Sequence, residues 1–181
     1  AWLHVVVKDA SGRTVFESGA VQPSGAIVGS DLDADASRYE PHYNEIRTPD
    51  QVQIYEPVMT DLAGAVTTGL LSGTRYVKDN RLLPRGFDKA TAEPDFAVHG
   101  DALSDTNFAG GGDQVTYSVD VSGAQGPFQV QADLRYQSIS FRWADNLRRY
   151  EADETKRFVG YYDSMSAGSS AILASAATSI R

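Results

Sequence analysis

The chain has 181 residues, 41% of them hydrophobic and 22% charged, which suits one domain with a sizeable core. Its 24 acidic residues against 16 Lys and Arg leave a formal net charge of −8, which argues against nucleic-acid binding and is compatible with binding cations. The absence of Cys excludes disulfides, thiolate zinc sites and covalently attached haem, and no apolar run is long enough to span a membrane as a helix.

Trp2–Lys8 reads as a strand with Leu3, Val5 and Val7 on one face. Asp9–Gly12 supplies a turn and Arg13–Glu17 returns, which predicts an antiparallel hairpin. An opening directly on a strand predicts a mature or excised domain with any export signal lying upstream. Ser18–Gly29 is small and turn-rich, with a short strand at Ala26–Val28.

Ser30–His42, SDLDADASRYEPH, is the most acidic stretch. Asp31, Asp33 and Asp35 alternate, and a hard cation such as calcium takes roughly six to eight oxygens, several of which such a loop supplies. It is not an EF-hand: Ala36 occupies the glycine position, His42 the bidentate glutamate position, and Glu40 comes two residues early. Two readings follow, a structural calcium site built from Asp31, Asp33, Asp35 and Glu40, or a plain acidic surface turn.

Gln51–Val58 reads as a strand with Val52 and Ile54 inward, and Pro57 marks an edge or an end. Ala65–Leu71 is a further apolar, β-branched run. In Gly69–Asp88, strand-compatible Tyr76-Val77 and Leu82-Leu83 flank Lys78-Asp79-Asn80-Arg81, where Asp-Asn is turn chemistry. Pro84 extends Leu83, and Gly86 permits a corner. This segment predicts an irregular crossover in which Lys78, Asp79, Arg81, Arg85 and Asp88 are either a solvated charged loop or a buried ion-pair network.

Ala90–Gly112 is loop-rich, broken by a short strand at Asp95–Val98. A second acidic group, Asp101, Asp105, Asn107 and Asp113, surrounds Gly110–Gly112, glycines that allow close backbone approach or positive φ. It reads either as the other half of the cation site, with Asp101 and Asp105 helping, or as the entry to a hairpin. Val115, Tyr117, Val119 and Val121 alternate with polar residues, as do Phe128, Val130, Ala132, Leu134 and Tyr136, predicting two strands joined by Ser122–Pro127.

After Ser138 the period changes. Trp143, Leu147 and Tyr150 fit a short helix with Ser140 as cap, and Asp153 caps a second. The spacing of Phe158, Tyr161, Tyr162, Met165, Ile172, Leu173 and Ala176 predicts an amphipathic helix from about Glu154 to Ala177, weakened by Gly160 and Gly168.

The three histidines offer little chemistry. His4 lies mid-strand; His42 and His99 lie in loops near the acidic groups, without the H-x-x-x-H spacing of a helical zinc site. Neither G-x-S-x-G nor G-x-x-x-x-G-K-[ST] occurs.

TTGLL at Thr67–Leu71, KDNRLLPRGFDK at Lys78–Lys89 and PDFAVHGDA at Pro94–Ala102 carry a resemblance. They resemble the non-haem C-terminal region of bacterial multihaem cytochrome c family proteins, over about Val5 to Tyr162. The resemblance implies a periplasmic or otherwise extracytoplasmic accessory domain of an electron-transfer protein, partnered by a multihaem cytochrome domain. Haem attachment needs Cys-x-x-Cys-His, so no haem-binding residue carries over.

Together the turns and alternating runs predict one domain over residues 1–181, an antiparallel β-sandwich of jelly-roll type with one or two C-terminal helices from about residue 140. Three functions compete: the accessory, partner-docking domain above, a ligand- or glycan-binding sandwich using Trp2, Trp143 and tyrosines as stacking platforms, or a hydrolase, which needs a concave site with perturbed titratable groups.

Overall fold

The computed structural model describes all 181 residues. Strands β1 (Trp2–Lys8) and β2 (Thr14–Ser18) form the expected antiparallel hairpin, with Val5 opposite Ser18 and Val7 opposite Phe16. Asp9 ties the turn: its carboxylate accepts from the backbone N–H groups of Ser11 and Arg13 and from the Ser11 hydroxyl. These bonds, the Ser11 hydroxyl first, hold its pKa down at about 2.

The remaining strands are β3 (Glu45–Ile46), β4 (Pro57–Thr60), β5 (Val66–Thr67), β6 (Arg75–Asp79), β7 (Thr116–Tyr117), β8 (Phe128–Gln137) and β9 (Ser170–Ile180). The helices are α1 (Asp31–Ala34), α2 (Phe141–Leu147) and α3 (Asp153–Met165). A four-stranded antiparallel sheet runs β2-β1-β8-β9 and a three-stranded antiparallel sheet β5-β4-β6. The chain is thus mainly antiparallel sheet with three helices. No helix is long and apolar enough to cross a membrane.

Three predicted elements change identity. The Val115–Val121 run does not pair with β8, because β1 and β9 occupy both edges of β8. Instead β7 lies parallel to β3, with Glu45 opposite Thr116 and Ile46 opposite Tyr117. Its alternation is still used: Val115, Tyr117 and Val119 all pack against the core of Val7, Phe16 and Ile46.

The long C-terminal helix ends at Met165, and a 3₁₀ turn over Ser166–Gly168 leads into β9. β9 pairs with β8 along its whole length, from Ser170 opposite Gln137 to Ile180 opposite Phe128. This ladder overrides the helix propensity of an alanine-rich segment. Residues 51–56 make only a bridge, Trp2 to Ile54, and the regular strand begins at Pro57.

Smaller strands contract similarly. Ala26–Val28 keeps one bridge, Val21 to Ile27, and Ala65–Leu71 keeps β5 alone. Pro94–Phe96 is a 3₁₀ turn where a strand was expected, as a proline at its first position favours. Leu82-Leu83 is irregular.

The core falls into three clusters. Trp2, Ile27, Val52 and Ile54 form one, so Val52 and Ile54 face inward as expected although they are not in a strand. Tyr55, Val98, Ala102 and Phe108 form the second, and Val7, Phe16 and Ile46 the third. Trp2 is pinned in place by Nε1 donating to the Gly19 carbonyl at 2.9 Å. Gly19 sits at φ +79°, so close under Leu3 and Trp2 that a side chain there collides with the Leu3 carbonyl.

Candidate functional site

A cavity of about 710 Å³ opens where α2 and α3 meet the end of β8 and the 54–57 segment. Of its 19 lining residues 11 are hydrophobic, which makes it a place for an apolar body. Trp2, Ile27 and Ile54, three of the four residues of the first core cluster, form its floor. Trp143 and Leu147 of α2, Phe158 of α3, and Leu82 and Ile139 line its walls. The carboxylates of Asp33 and Glu56 and the guanidinium of Arg81 are the charged side chains at its surface.

Asp33 is held from three sides. Ser30 caps α1, its hydroxyl oxygen accepting from the Asp33 N–H at 3.0 Å. The Ile27 N–H donates to Asp33 Oδ2 at 2.9 Å. Buried Arg142 of α2 donates to the carbonyls of Leu32 at 2.8 Å and Asp33 at 2.6 Å, clamping α1 to α2. Burial pushes the Asp33 pKa up to about 6, with the negative charge of Glu56 adding to the rise.

Glu56 accepts from Lys78 Nζ at 3.2 Å, and its backbone N–H donates to Asn80 Oδ1 at 2.9 Å. Arg81 is committed elsewhere: Nε and Nη2 donate to the two oxygens of Asp79 at 2.9 and 2.6 Å. Of the network predicted within this segment only Arg81–Asp79 forms, while Lys78 pairs outside it with Glu56; Lys78, Asp79 and Asn80 are all buried. Asp88 instead bonds Ala90 and Thr91.

Glu40 is 1% exposed, and neither carboxylate oxygen has a hydrogen-bond partner. The Ser30 hydroxyl stands beside it without closing a bond of normal geometry. Burial first, and then the charge of Glu56, raise its pKa to about 7.

The acidic loop thus disperses. Asp31 pairs with exposed Arg38 at 3.0 Å, Asp35 accepts from the N–H and hydroxyl of Ser37, Asp33 turns to the cavity, and Glu40 is buried. Asp101 starts a 3₁₀ turn, and Asp105 belongs to a different group.

That group is His42, Asp105 and Asp113, whose ligand atoms lie within 4.8 Å of one another. His42 Nε2 is 3.2 Å from Asp105 Oδ2 and 3.8 Å from Asp113 Oδ2. Its Nδ1 faces two amide nitrogens, Gln53 Nε2 at 2.9 Å and Asn80 Nδ2 at 3.0 Å. Both amides are oriented by their oxygens, Gln53 accepting from the Tyr43 N–H and Asn80 from the Glu56 N–H. Nδ1 is therefore the acceptor, and the ring proton sits on Nε2, facing the carboxylates. In this arrangement the imidazole donates to Asp105 instead of offering Nε2 to a metal. Asp113 also accepts from Tyr55 Oη at 2.8 Å; burial and this bond raise the tyrosine pKa.

His99 is not in this group: it bridges Asp79 and stacks on Tyr76 at 5.8 Å. His4 bonds Glu17 at 2.9 Å across the hairpin. The sequence singled out Asp33, Glu40, His42, Asp105 and Asp113 by charge. It missed Gln53, Glu56 and Asn80, whose role depends on the 53–56 segment lying beside β6, a long-range contact with no local signal. No family model, curated protein or solved structure matches the chain.

Proposed function

We propose that the chain is a non-catalytic binding module that takes a small, largely apolar ligand in the cavity between α2, α3 and the end of β8. The observation that carries this reading is the cavity itself: about 710 Å³, mostly apolar, with a few fixed polar groups in its lining. An apolar ligand suits it better than a glycan. Trp2 is 1% exposed in its floor and is no stacking platform, and Trp143 lines a wall. Both tryptophans of the chain line the cavity, so their fluorescence reports on it. Titration with phenethyl alcohol should change that fluorescence saturably. An unchanged spectrum up to the solubility limit would overturn the reading.

A second reading is the accessory, partner-docking role in an extracytoplasmic multihaem electron-transfer protein that the sequence resemblance implies. One observation favours it. β9 is the outer strand of its sheet, carries no charged residue over Ser170–Ile180, and leaves Ile172, Leu173 and Ile180 more than half exposed. Such an edge is a template for strand addition by a partner. Replacing Leu173 with Lys should weaken retention on an immobilised multihaem cytochrome domain; undiminished retention, or none by the parent chain, counts against it. In either reading we take the four-stranded and three-stranded sheets as the two layers of a sandwich.

A further inference from the structure

We infer that the ligand of this cavity carries a cationic head, an ammonium or amidinium group, set against Asp33 and Glu56; the inference rests on reading the cavity as a ligand site. The argument is one of missing countercharge. Asp33 and Glu56 both line the cavity, and Glu40 lies fully buried in the field of Glu56 with both oxygens unpartnered.

The cations nearby are engaged. Lys78 bonds Glu56 at 3.2 Å, Arg81 is forked onto Asp79, and Arg142, whose charge faces Asp33, is bonded to the carbonyls of Leu32 and Asp33 and to the carboxylate of Asp145 at 3.0 Å. Three carboxylates thus share Lys78, which is bonded to Glu56, and an Arg142 that Asp145 also engages.

A buried carboxylate without a partner is costly, and proton uptake relieves it. A ligand cation in the cavity relieves it without a proton. The apolar walls exclude a bare metal ion as the occupant and provide for an organic body attached to the charge. Hydrogen bonds already fix Asp33 from Ser30, Ile27 and Arg142, so its free oxygen is presented without reorganisation.

The groups that titrate here are Asp33, faced by Glu56 and Arg142, and Glu40, faced by Glu56 and Lys78. Ionised Asp33 meets a cation directly, and ionised Glu40 behind it adds to the negative field, so ammonium affinity rises with pH while alcohol affinity does not.

The test is calorimetric titration of the full chain with phenethylammonium and with phenethyl alcohol. At about pH 8 the ammonium should bind about tenfold more tightly, a ratio worth about 1.4 kcal/mol. The ratio should fall several-fold at about pH 5, where Asp33 and Glu40 take up protons. Asp33→Asn should lower the ratio at the higher pH. Glu40→Gln, which removes an unpartnered buried charge and so does not threaten folding, should lower it as well. Alcohol binding as tight as ammonium binding at the higher pH overturns the cationic head and leaves the cavity reading standing. Binding of neither compound overturns both.

Discussion

Glu40 is the residue on which the most direct stability prediction rests. Its folded pKa, about 7, lies above the ordinary carboxylate value of 4.5, so the folded chain holds a proton that the unfolded chain has released between those limits. Stability contributed by protonated Glu40 is present at low pH and is lost as pH rises through about 7. Glu40→Gln keeps the shape and removes the charge. At about pH 8 it should stabilise the fold by about 2 kcal/mol, and at about pH 4 by nearly nothing. Denaturant melts of both proteins at the two pH values check this; a Gln variant less stable at the higher pH would mean that Glu40 has a cationic partner.

Gln53 behaves oppositely. It is fully buried, and its amide serves Tyr43, His42 and Asp113. Gln53→Leu should cost about 2–4 kcal/mol in a urea melt, because several buried polar groups lose partners at once. A cost below about 1 kcal/mol would show that the His42 group is satisfied without it. The charge of Glu40 and Asp33 was legible in the sequence, but their burial was not. An Asp-x-Asp-x-Asp run reads as one surface loop, and the Ile27 N–H on the Asp33 carboxylate, with the Arg142 clamp between α1 and α2, holds Asp33 inward while Asp31 and Asp35 stay out.

At the scale of elements, period-two alternation located β1, β2 and β8 well, since each has one face on apolar neighbours. It did not name their partners. The choice of β3 over β8 as partner to β7 depends on β1 and β9 having filled both sides of β8. The glycines at Gly110 and Gly111 read correctly as close-approach positions: Gly110 lies against the backbone of Phe87 and Pro84, and Gly111 has φ +102° beside Arg85.

The C-terminal segment misled because Ile172, Leu173 and Ala176 mimic helical spacing, while the strand ladder that claims them is invisible locally. α3 and β9 therefore make separable contributions. α3 covers the cavity with Phe158 and buries Tyr162, whereas β9 is exposed from Ala171 onward. Deletion of residues 169–181 should lower the melting temperature by a few degrees, about 2–4 °C per kcal/mol of lost ladder, and leave near-UV circular dichroism native. Deletion of residues 152–181 should also reduce the tryptophan near-UV signal, because Trp143 loses its cover while Trp2 keeps its core contacts. Equal effects of the two deletions would contradict this division.

At the scale of the whole molecule, the same buried carboxylates shape the pH profile. Asp33 and Glu40 bind protons more tightly folded than unfolded, so both favour the folded state increasingly as pH falls from about 8 to about 5. Asp9, Asp133 and Asp163 have lowered pKa values and act in the other direction, withdrawing stability as pH falls below about 4. The melting temperature should therefore peak on the acidic side of neutrality, near pH 5, in a scan from about pH 3 to about pH 9. Saturating phenethylammonium should raise the alkaline limb of that curve selectively, since it supplies the charge the carboxylates lack.

The most direct measurement of the cavity as a ligand site is a methyl-resolved NMR titration with phenethylammonium at about pH 8, where Asp33 and Glu40 are ionised. The methyl resonances of Ile27, Ile54, Leu82, Ile139 and Leu147 should shift together on one saturable isotherm, while those of Ile46 and Val7, in the third core cluster, stay in place. Shifts spread evenly over the molecule, or confined to β9, would contradict a ligand site between α2, α3 and the end of β8.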